Sequence, residues 1–254
     1  MMNSILVLLK REILILKKNV TSYLFYIFIF PIILYLFLVT PFHKLLQPSS
    51  GMNYLYHGLP AILFLCTLII SFGFPLIISK RDRCDNSYFH FIISLNVSIH
   101  NYINYITLIS LLLSYCQFFV SLFLIIQLSE SIIMTWKQLF YFIIIIFPSS
   151  LLFILLGLLF SNFIKNTYSL VMSLIFLFSF LTFGIGSFIP IEYFPDNYRE
   201  VTESYILVFH LYDMFIKVFQ SENIYIGIPI TAIFISVLLY ILNVIIISKK
   251  MSKY

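Results

Sequence analysis

The stretch GLPAILFLCTLIISFGFPLIISKRDR, residues 58–83, runs for 22 residues without an Asp, Glu, Lys or Arg and then ends in four charged residues. A transmembrane helix needs about 20 mainly apolar residues. Five further charge-free runs of similar length occur in this chain of 254 residues, of which 61% are hydrophobic and 10% charged. We therefore predict an all-α integral membrane protein with six transmembrane helices, at about residues 21–41, 58–79, 102–128, 139–160, 168–190 and 224–248.

Basic residues are unevenly distributed among the connections between these spans. With the N-terminus inside, eleven of the fifteen Lys and Arg residues lie on the inner side, and seven of the ten acids lie on the outer side. Cytoplasmic loops carry the excess of Lys and Arg. We therefore expect a multi-pass protein of a prokaryotic inner or plasma membrane with both termini cytoplasmic, and no nucleic-acid partner.

Several function classes are disfavoured by missing motifs. The seven glycines include no phosphate-binding P-loop, and the five His and three Cys residues follow neither metal-ligand nor disulfide spacing. We predict that the chain is not an enzyme and has no catalytic residue, metal or cofactor of its own. The spans also lack the ionisable residues on which ion-coupled carriers depend, so energy for any transport is expected to enter through a cytoplasmic partner.

Residues 1–20 are predicted to form a separate amphipathic helix ahead of a permease domain at residues 21–254. Polar residues recur in this segment every seven positions and share one helical face, from which Glu12 departs. They are Asn3, Ser4, Lys10, Arg11, Lys17 and Lys18. Such a helix suits the cytoplasmic membrane interface. The alternative is a simple positively charged lead-in to the first span.

The connection between spans 2 and 3 begins RDRCDNSYFHFI, residues 81–92, and is long and patterned. Its alternating charges are followed by aromatic residues spaced to give a short helix an apolar side, which suits docking in the groove of a partner. The candidate docking residues are Arg81, Asp82, Arg83, Asp85, Tyr88, Phe89 and Phe91. The alternative is a solvated loop that carries only the inner-side charge bias.

A second patterned segment, FGIGSFIPIEYFPDNYREV at residues 183–201, follows span 5. We interpret Gly184 and Gly186 as a tight break and Pro190 and Pro195 as stops to a regular helix. The acids Glu192 and Asp196 are expected at the outer water interface. The apolar stretch at residues 205–219 is predicted to be a re-entrant helical segment; the alternative is a plain solvated loop.

Prolines and amides inside the spans have two interpretations each. Pro31, Pro75, Pro148 and Pro229 provide either hinges or tolerated kinks. Asn104, Gln117 and Gln127 either line a path or join helices by hydrogen bonds.

Taken with the six spans, the two patterned segments resemble the permease subunit of ABC-2-type exporters. KRDRCDNSYFHFIISLNVSIHNYINY is similar to the family's charged stretch, short helix and polar turn before span 3. The segment at residues 183–201 is similar to its small-residue turn followed by two prolines. The chain departs from the family at residues 84–86 and in lacking a further proline in ESYILVFHLYDMF.

This resemblance implies a permease that dimerises, as a homodimer or heterodimer, and pairs with two copies of a separate P-loop ATPase that binds Mg-ATP. The segment from Arg81 to Phe91 would be its coupling helix, the N-terminal helix a second contact, and the segment after span 5 an exit gate. The expected substrate is a hydrophobic, drug-like, lipid-linked or glycan compound. The alternatives are a non-transporting membrane scaffold or assembly factor and, less favoured, an ion-coupled secondary carrier.

Overall fold

The computed structural model describes residues 2–45, 54–84, 97–128, 134–164, 166–222 and 225–251. Over these ranges the chain forms helices joined by turns, with no strand. The helices are α1 Met2–Lys18, α2 Val20–Leu34, α3 Thr40–Leu45, α4 Leu55–Cys84, α5 Ile99–Leu128, α6 Trp136–Ser161, α7 Thr167–Ser179, α8 Asp196–Tyr205, α9 Leu207–Phe219 and α10 Gly227–Met251. Two π-helical segments, π1 Tyr35–Val39 and π2 Phe180–Gly184, continue α2 and α7.

The predicted all-α fold with six membrane-spanning helices is confirmed. In the described part of the chain, six helices are long and apolar enough to cross a membrane. They are Val20–Leu45, Leu55–Asp82, Ile99–Leu128, Trp136–Ser161, Thr167–Gly184 and Gly227–Lys249.

Two span boundaries differ from the predicted ones, which were placed where charge-free runs of sequence end. Helix α4 continues to Cys84, so the charged residues placed in a loop form its last turns. Charge marks the end of an apolar run and does not end the hydrogen-bonded helix. The fifth span ends at Gly184 rather than Pro190, because an uncharged turn follows that a search for charge-free runs cannot distinguish from helix.

Helix α4 is the central helix of the bundle. Its most apolar window is 83% buried, against 22% for the first and last spans and 17% for the fifth. It packs along α5 and α6 and also contacts α7 and α9. Near its middle, α6 approaches so closely that a Cβ atom on Gly157 would lie 2.2 Å from the carbonyl oxygen of Phe72. A side chain at position 157 would therefore force these two helices apart.

Pro31 lies inside α2, where it removes a backbone donor. Because proline has no N–H group, the carbonyl of Ile27 loses its helical partner. The Nε2 group of Gln117 on α5 lies 3.3 Å from that carbonyl and donates to it, and it lies 2.9 Å from the Ser121 hydroxyl. Gln117 thus joins α5 to α2, which is the second of its two predicted roles.

The segment after span 5 contains a turn at residues 185–190, a 3₁₀ turn at Ile191–Tyr193, and the helices α8 and α9. Helix α9 packs its apolar face on α4 and α6. The buried residues of that face are Leu211, Tyr212, Met214, Phe215, Val218 and Phe219. Gln138 of α6 donates to the carbonyls of Val218 and Phe219 at the end of α9. The segment is therefore helical and held to the bundle, while its depth in a membrane stays a prediction.

Candidate functional site

The predicted docking residues are divided by the structure. Arg81, Asp82 and Arg83 lie in the last turns of α4. Asp85, Tyr88, Phe89 and Phe91 lie outside the described residues.

Arg81 and Asp82 form ion pairs with neighbouring residues of α1. The guanidinium of Arg81 donates to both carboxylate oxygens of Glu12, at 3.0 and 2.6 Å. The guanidinium of Arg11 donates to Asp82 at 2.9 Å. We call these four residues the charge cluster; it contains two positive and two negative side chains and is neutral overall.

Two tyrosines of α5 also donate hydrogen bonds to the two acids of the cluster. The hydroxyl of Tyr105 donates to Glu12 at 2.9 Å, and that of Tyr102 donates to Asp82 at 3.2 Å. Each carboxylate therefore accepts from one arginine and one tyrosine. The cluster joins the first helix of the chain to the end of span 2 and the start of span 3.

Burial makes the pairing in the charge cluster obligatory. Glu12 is fully buried and Asp82 is 1% exposed, whereas Arg11 and Arg81 reach the surface with 14% and 26% of their side chains. An unpaired charge at such a position is strongly unfavourable. Burial has the largest single effect on Arg11 and disfavours its charged form. Asp82, together with Tyr105 and Glu12, more than offsets this effect, so the pKa of Arg11 lies above its ordinary value.

The basic residues of α1 do not all lie on one exposed polar face, as the seven-residue pattern predicted. Arg11 turns inward to Asp82, while Lys10, Lys17 and Lys18 are exposed. Large apolar side chains are exposed along the same helix, at Leu6, Val7, Ile13 and Leu14. The outward surface of α1 is thus mixed, with lysines among apolar residues, and its buried surface contains Glu12. The departure of Glu12 from the polar pattern was the available sign of this arrangement.

At the opposite end of α4, residues 184–190 form what we call the glycine turn. Gly186 has φ +72°, in the left-handed region that favours glycine. Gly186 and Pro190 are buried, and Gly184 is partly buried. The other predicted gate residues, Glu192, Pro195 and Asp196, lie beyond the turn and are exposed.

Side chains at the start of α4 donate to the backbone of the glycine turn. The hydroxyl of Tyr54 donates to the carbonyl of Phe188, and the Nε2 atom of His57 lies 3.0 Å from the carbonyl oxygen of Gly186. Since a carbonyl can only accept, the His57 proton must be on Nε2 for this bond to form.

Two tyrosines after the turn donate back to it. The hydroxyl of Tyr212, on α9, lies 2.8 Å from the carbonyls of both Ser187 and His57. The hydroxyl of Tyr198, on α8, donates to the carbonyl of Gly184. The turn is therefore held from both sides by neutral donors.

The polar contacts of the charge cluster are ion pairs, and those of the glycine turn are hydrogen bonds to backbone carbonyls. Within the described ranges, no group of three or more His, Cys, Asp or Glu residues could hold a metal ion. The four side chains of the charge cluster pair with one another, and the His57 ring lies within hydrogen-bond distance of the glycine turn. Sequence reasoning missed Tyr54, His57, Tyr102, Tyr105, Tyr212 and Gln138, because no motif distinguishes them from the other residues of their types.

One comparison with known proteins gives a match. A family model described as "ABC-2 type transporter" matches residues 3–220. The matched range contains α1 to α9, and therefore both the charge cluster and the glycine turn, while α10 lies beyond it. Comparisons with curated proteins and with solved structures returned no match.

Proposed function

Since the chain belongs to the ABC-2 type transporter family, and is therefore the multi-pass permease component of an ABC transporter, we propose that it drives export with a separate ATPase. In this proposal two permease copies form the pathway, and two copies of a P-loop ATPase bind and hydrolyse Mg-ATP. The observation that carries the proposal is the family match over residues 3–220 in a chain whose sequence has no P-loop motif.

The proposed contact with the ATPase lies at the end of α4 that carries the charge cluster. The 85–96 segment, which contains the predicted docking aromatics, follows directly after α4. Arg81 and Asp82 are engaged with α1, so we assign the docking contact to Arg83, to the residues that follow it and to the exposed lysines of α1. The cluster would hold this surface in place rather than bind the partner itself.

The proposed orientation puts both termini and the charge cluster in the cytoplasm. The bias of Lys and Arg along the sequence supports it. The structure adds that Lys80, at the end of α4, donates to Thr167, at the start of α7, at 2.9 Å. The connection between spans 2 and 3 and the connection between spans 4 and 5, both predicted to be cytoplasmic, therefore begin and end, respectively, at the same end of the bundle.

The glycine turn then lies on the outer side, where we propose that it belongs to the exit gate. Support comes from its position between span 5 and α9, and from its concentration of buried backbone contacts. The proposed substrate is a hydrophobic, drug-like, lipid-linked or glycan compound, since the predicted spans carry no charged residue that would select an ionic substrate.

The first test is recovery of an ATPase with the full-length chain. The tagged protein is cross-linked in its native membrane, purified and examined for a P-loop protein by mass spectrometry. We expect an ATPase near one copy per permease. If none is recovered, the exporter proposal fails and a scaffold role is favoured.

A charge reversal should then locate the contact. Arg83→Glu changes the end of α4 next to the 85–96 segment, and Lys44→Glu is a matched control at the other end of the bundle, where Lys44 is exposed. We expect Arg83→Glu to reduce ATPase recovery at unchanged permease yield and Lys44→Glu to leave it unchanged. Equal recovery in both variants would remove the coupling role from this end of α4.

A further inference from the structure

Three consecutive carbonyl groups of the glycine turn accept hydrogen bonds from three different side chains. The acceptors are the carbonyls of residues 186, 187 and 188, and their donors are His57 at 3.0 Å, Tyr212 at 2.8 Å and Tyr54 at 2.5 Å. Two donors come from the start of α4 and one from α9. The turn is therefore fixed to two helices that are far apart in the sequence.

The left-handed conformation of Gly186 helps to make this arrangement possible. In an extended strand, successive carbonyls point to opposite sides. In the glycine turn, three successive carbonyls are instead all within reach of three side chains that pack against one another. With φ +72°, Gly186 allows the backbone to reverse direction at this point. A Cβ atom there would also lie 3.2 Å from the carbonyl oxygen of Ile189.

The three donors are held by one another and by the aromatic core below them. The rings of His57 and Tyr212 meet edge to face with centroids 5.6 Å apart, and the Tyr54 ring lies 6.1 Å from His57. The ring centroid of Phe64 lies 5.6 Å from that of Tyr212 and 5.0 Å from that of Phe215. Tyr54 and Tyr212 are each 1% exposed, so their hydroxyls have few other positions available.

The Tyr212 hydroxyl links the turn and α4 directly. It lies 2.8 Å from the carbonyls of both Ser187 and His57, and a hydroxyl has one proton to donate. Either bond holds α9 close to the glycine turn and the start of α4. Loss of this hydroxyl leaves a buried carbonyl without its partner, which is unfavourable.

We propose that Tyr54, His57 and Tyr212 are positioning residues of the exit gate, which together act as a latch that holds the glycine turn closed against α4 and α9. This inference rests on the proposed function, because it assigns a mechanical role to the turn as a gate. Outward release of substrate then requires these three hydrogen bonds to be broken or carried along with the moving helices.

Accessibility of the turn tests the latch directly. Ile189→Cys is introduced into the full chain with Cys66, Cys84 and Cys116 replaced by Ala, and is labelled from outside with a membrane-impermeant maleimide. Tyr54→Phe, His57→Leu and Tyr212→Phe each remove one donor. We expect each to raise the labelling rate by about fivefold, which is the effect of losing one hydrogen bond of ordinary strength on the closed population.

Two matched variants separate positioning from general loosening. Tyr115→Phe removes a tyrosine hydroxyl that donates to the carbonyl of Ile143 at 3.2 Å, away from the turn, and should leave the labelling rate unchanged. His57→Gln keeps an N–H donor and should restore a rate close to that of the parent. The latch is refuted if the three donor variants label like the parent, or if Tyr115→Phe raises the rate as much as they do.

The same labelling in the complex with the ATPase tests the gate role. We expect ATP to change the rate at residue 189 and the donor variants to reduce the difference between the states with and without ATP. If the complex hydrolyses ATP while labelling stays the same in both states, the gate role is overturned although the exporter proposal stands. If no ATPase is recovered, the exporter proposal fails, and labelling of the permease alone still decides whether the three donors hold the turn.

Discussion

The charge cluster and the glycine turn lie at opposite ends of α4, and each fastens a different part of the chain to that helix. The cluster fastens α1 through two ion pairs, Arg11–Asp82 and Arg81–Glu12. The turn is fastened through neutral donors to backbone carbonyls. The acids Glu12 and Asp82 at one end are buried in ion pairs, while Glu192 and Asp196 at the other end are exposed.

This difference in chemistry gives the two regions different sensitivities. Removal of one partner from a buried ion pair leaves an uncompensated charge, whereas removal of both partners is often close to neutral. Removal of one donor from the turn leaves only a neutral carbonyl unsatisfied. Loss of one member of an ion pair in the cluster should therefore cost more stability than loss of both members. Each donor lost from the turn should cost the stability of one hydrogen bond.

The largest expected effect is that of Arg81→Glu. The change removes both hydrogen bonds to fully buried Glu12 and places two carboxylates together, so we expect a loss of about 3–5 kcal/mol in the free energy of unfolding. Thermal unfolding in detergent measures it. The reversed pair, Glu12→Arg with Arg81→Glu, should recover part of the loss; a melting temperature equal to that of the parent in the single variant would contradict the structure of the cluster.

The second prediction compares one partner with the pair. Asp82→Leu alone should cost about 3 kcal/mol, because it leaves Arg11 without its closest acid. Arg11→Leu combined with Asp82→Leu should bring the loss back to about 1 kcal/mol. Unfolding of the two single variants and the double variant gives the coupling energy, and strictly additive losses would mean that these residues do not act as a pair.

The same chemical change in both regions gives a third, intermediate effect. Tyr105→Phe removes a donor to a carboxylate, and Tyr212→Phe removes a donor to a carbonyl. Hydrogen bonds to charged groups contribute more, so we expect losses of about 2 and about 1 kcal/mol, respectively. Tyr205→Phe, at a side chain that is 83% exposed, is the control. The reverse order of the two losses would undo the contrast drawn between the regions.

The smallest effect is expected at the surface acids near the turn. Asp196 and Glu200 are exposed on α8, so Asp196→Asn and Glu200→Gln should change stability by less than about 0.5 kcal/mol. A loss as large as that in Tyr212→Phe would show that charge matters at this end of the molecule as well. Unfolding at low and high salt provides the measurement, since exposed charges are screened.

The six spans could be predicted because a membrane-spanning helix requires a long apolar run, which one sequence displays directly. The break at Gly184 and Gly186 was also visible, since few residue types suit such a turn. The pairing of Arg81 with Glu12 was not, because it joins residues 69 positions apart. Glu12 differed from the basic pattern around it, but nothing local in the sequence named its partner.

The donors to the glycine turn could not be predicted for a different reason. Tyr54 and Tyr212 are two of 18 tyrosines in a chain rich in aromatic residues, and their role depends on which carbonyls the turn presents to them. His57 was one of five scattered histidines without a ligand pattern. Only the packing of α9 on α4 brings these three side chains together.

Because Tyr54 precedes α4 and Arg81 lies near its end, a fixed number of residues separates the two fastenings. Each helical residue adds 1.5 Å and turns the helix by about 100°. One residue inserted into or deleted from the middle of α4 would thus rotate one end relative to the other, and His57 or Arg81 would point away from its partner. The length of this helix should consequently be intolerant of insertions and deletions, even where its individual apolar residues can be exchanged.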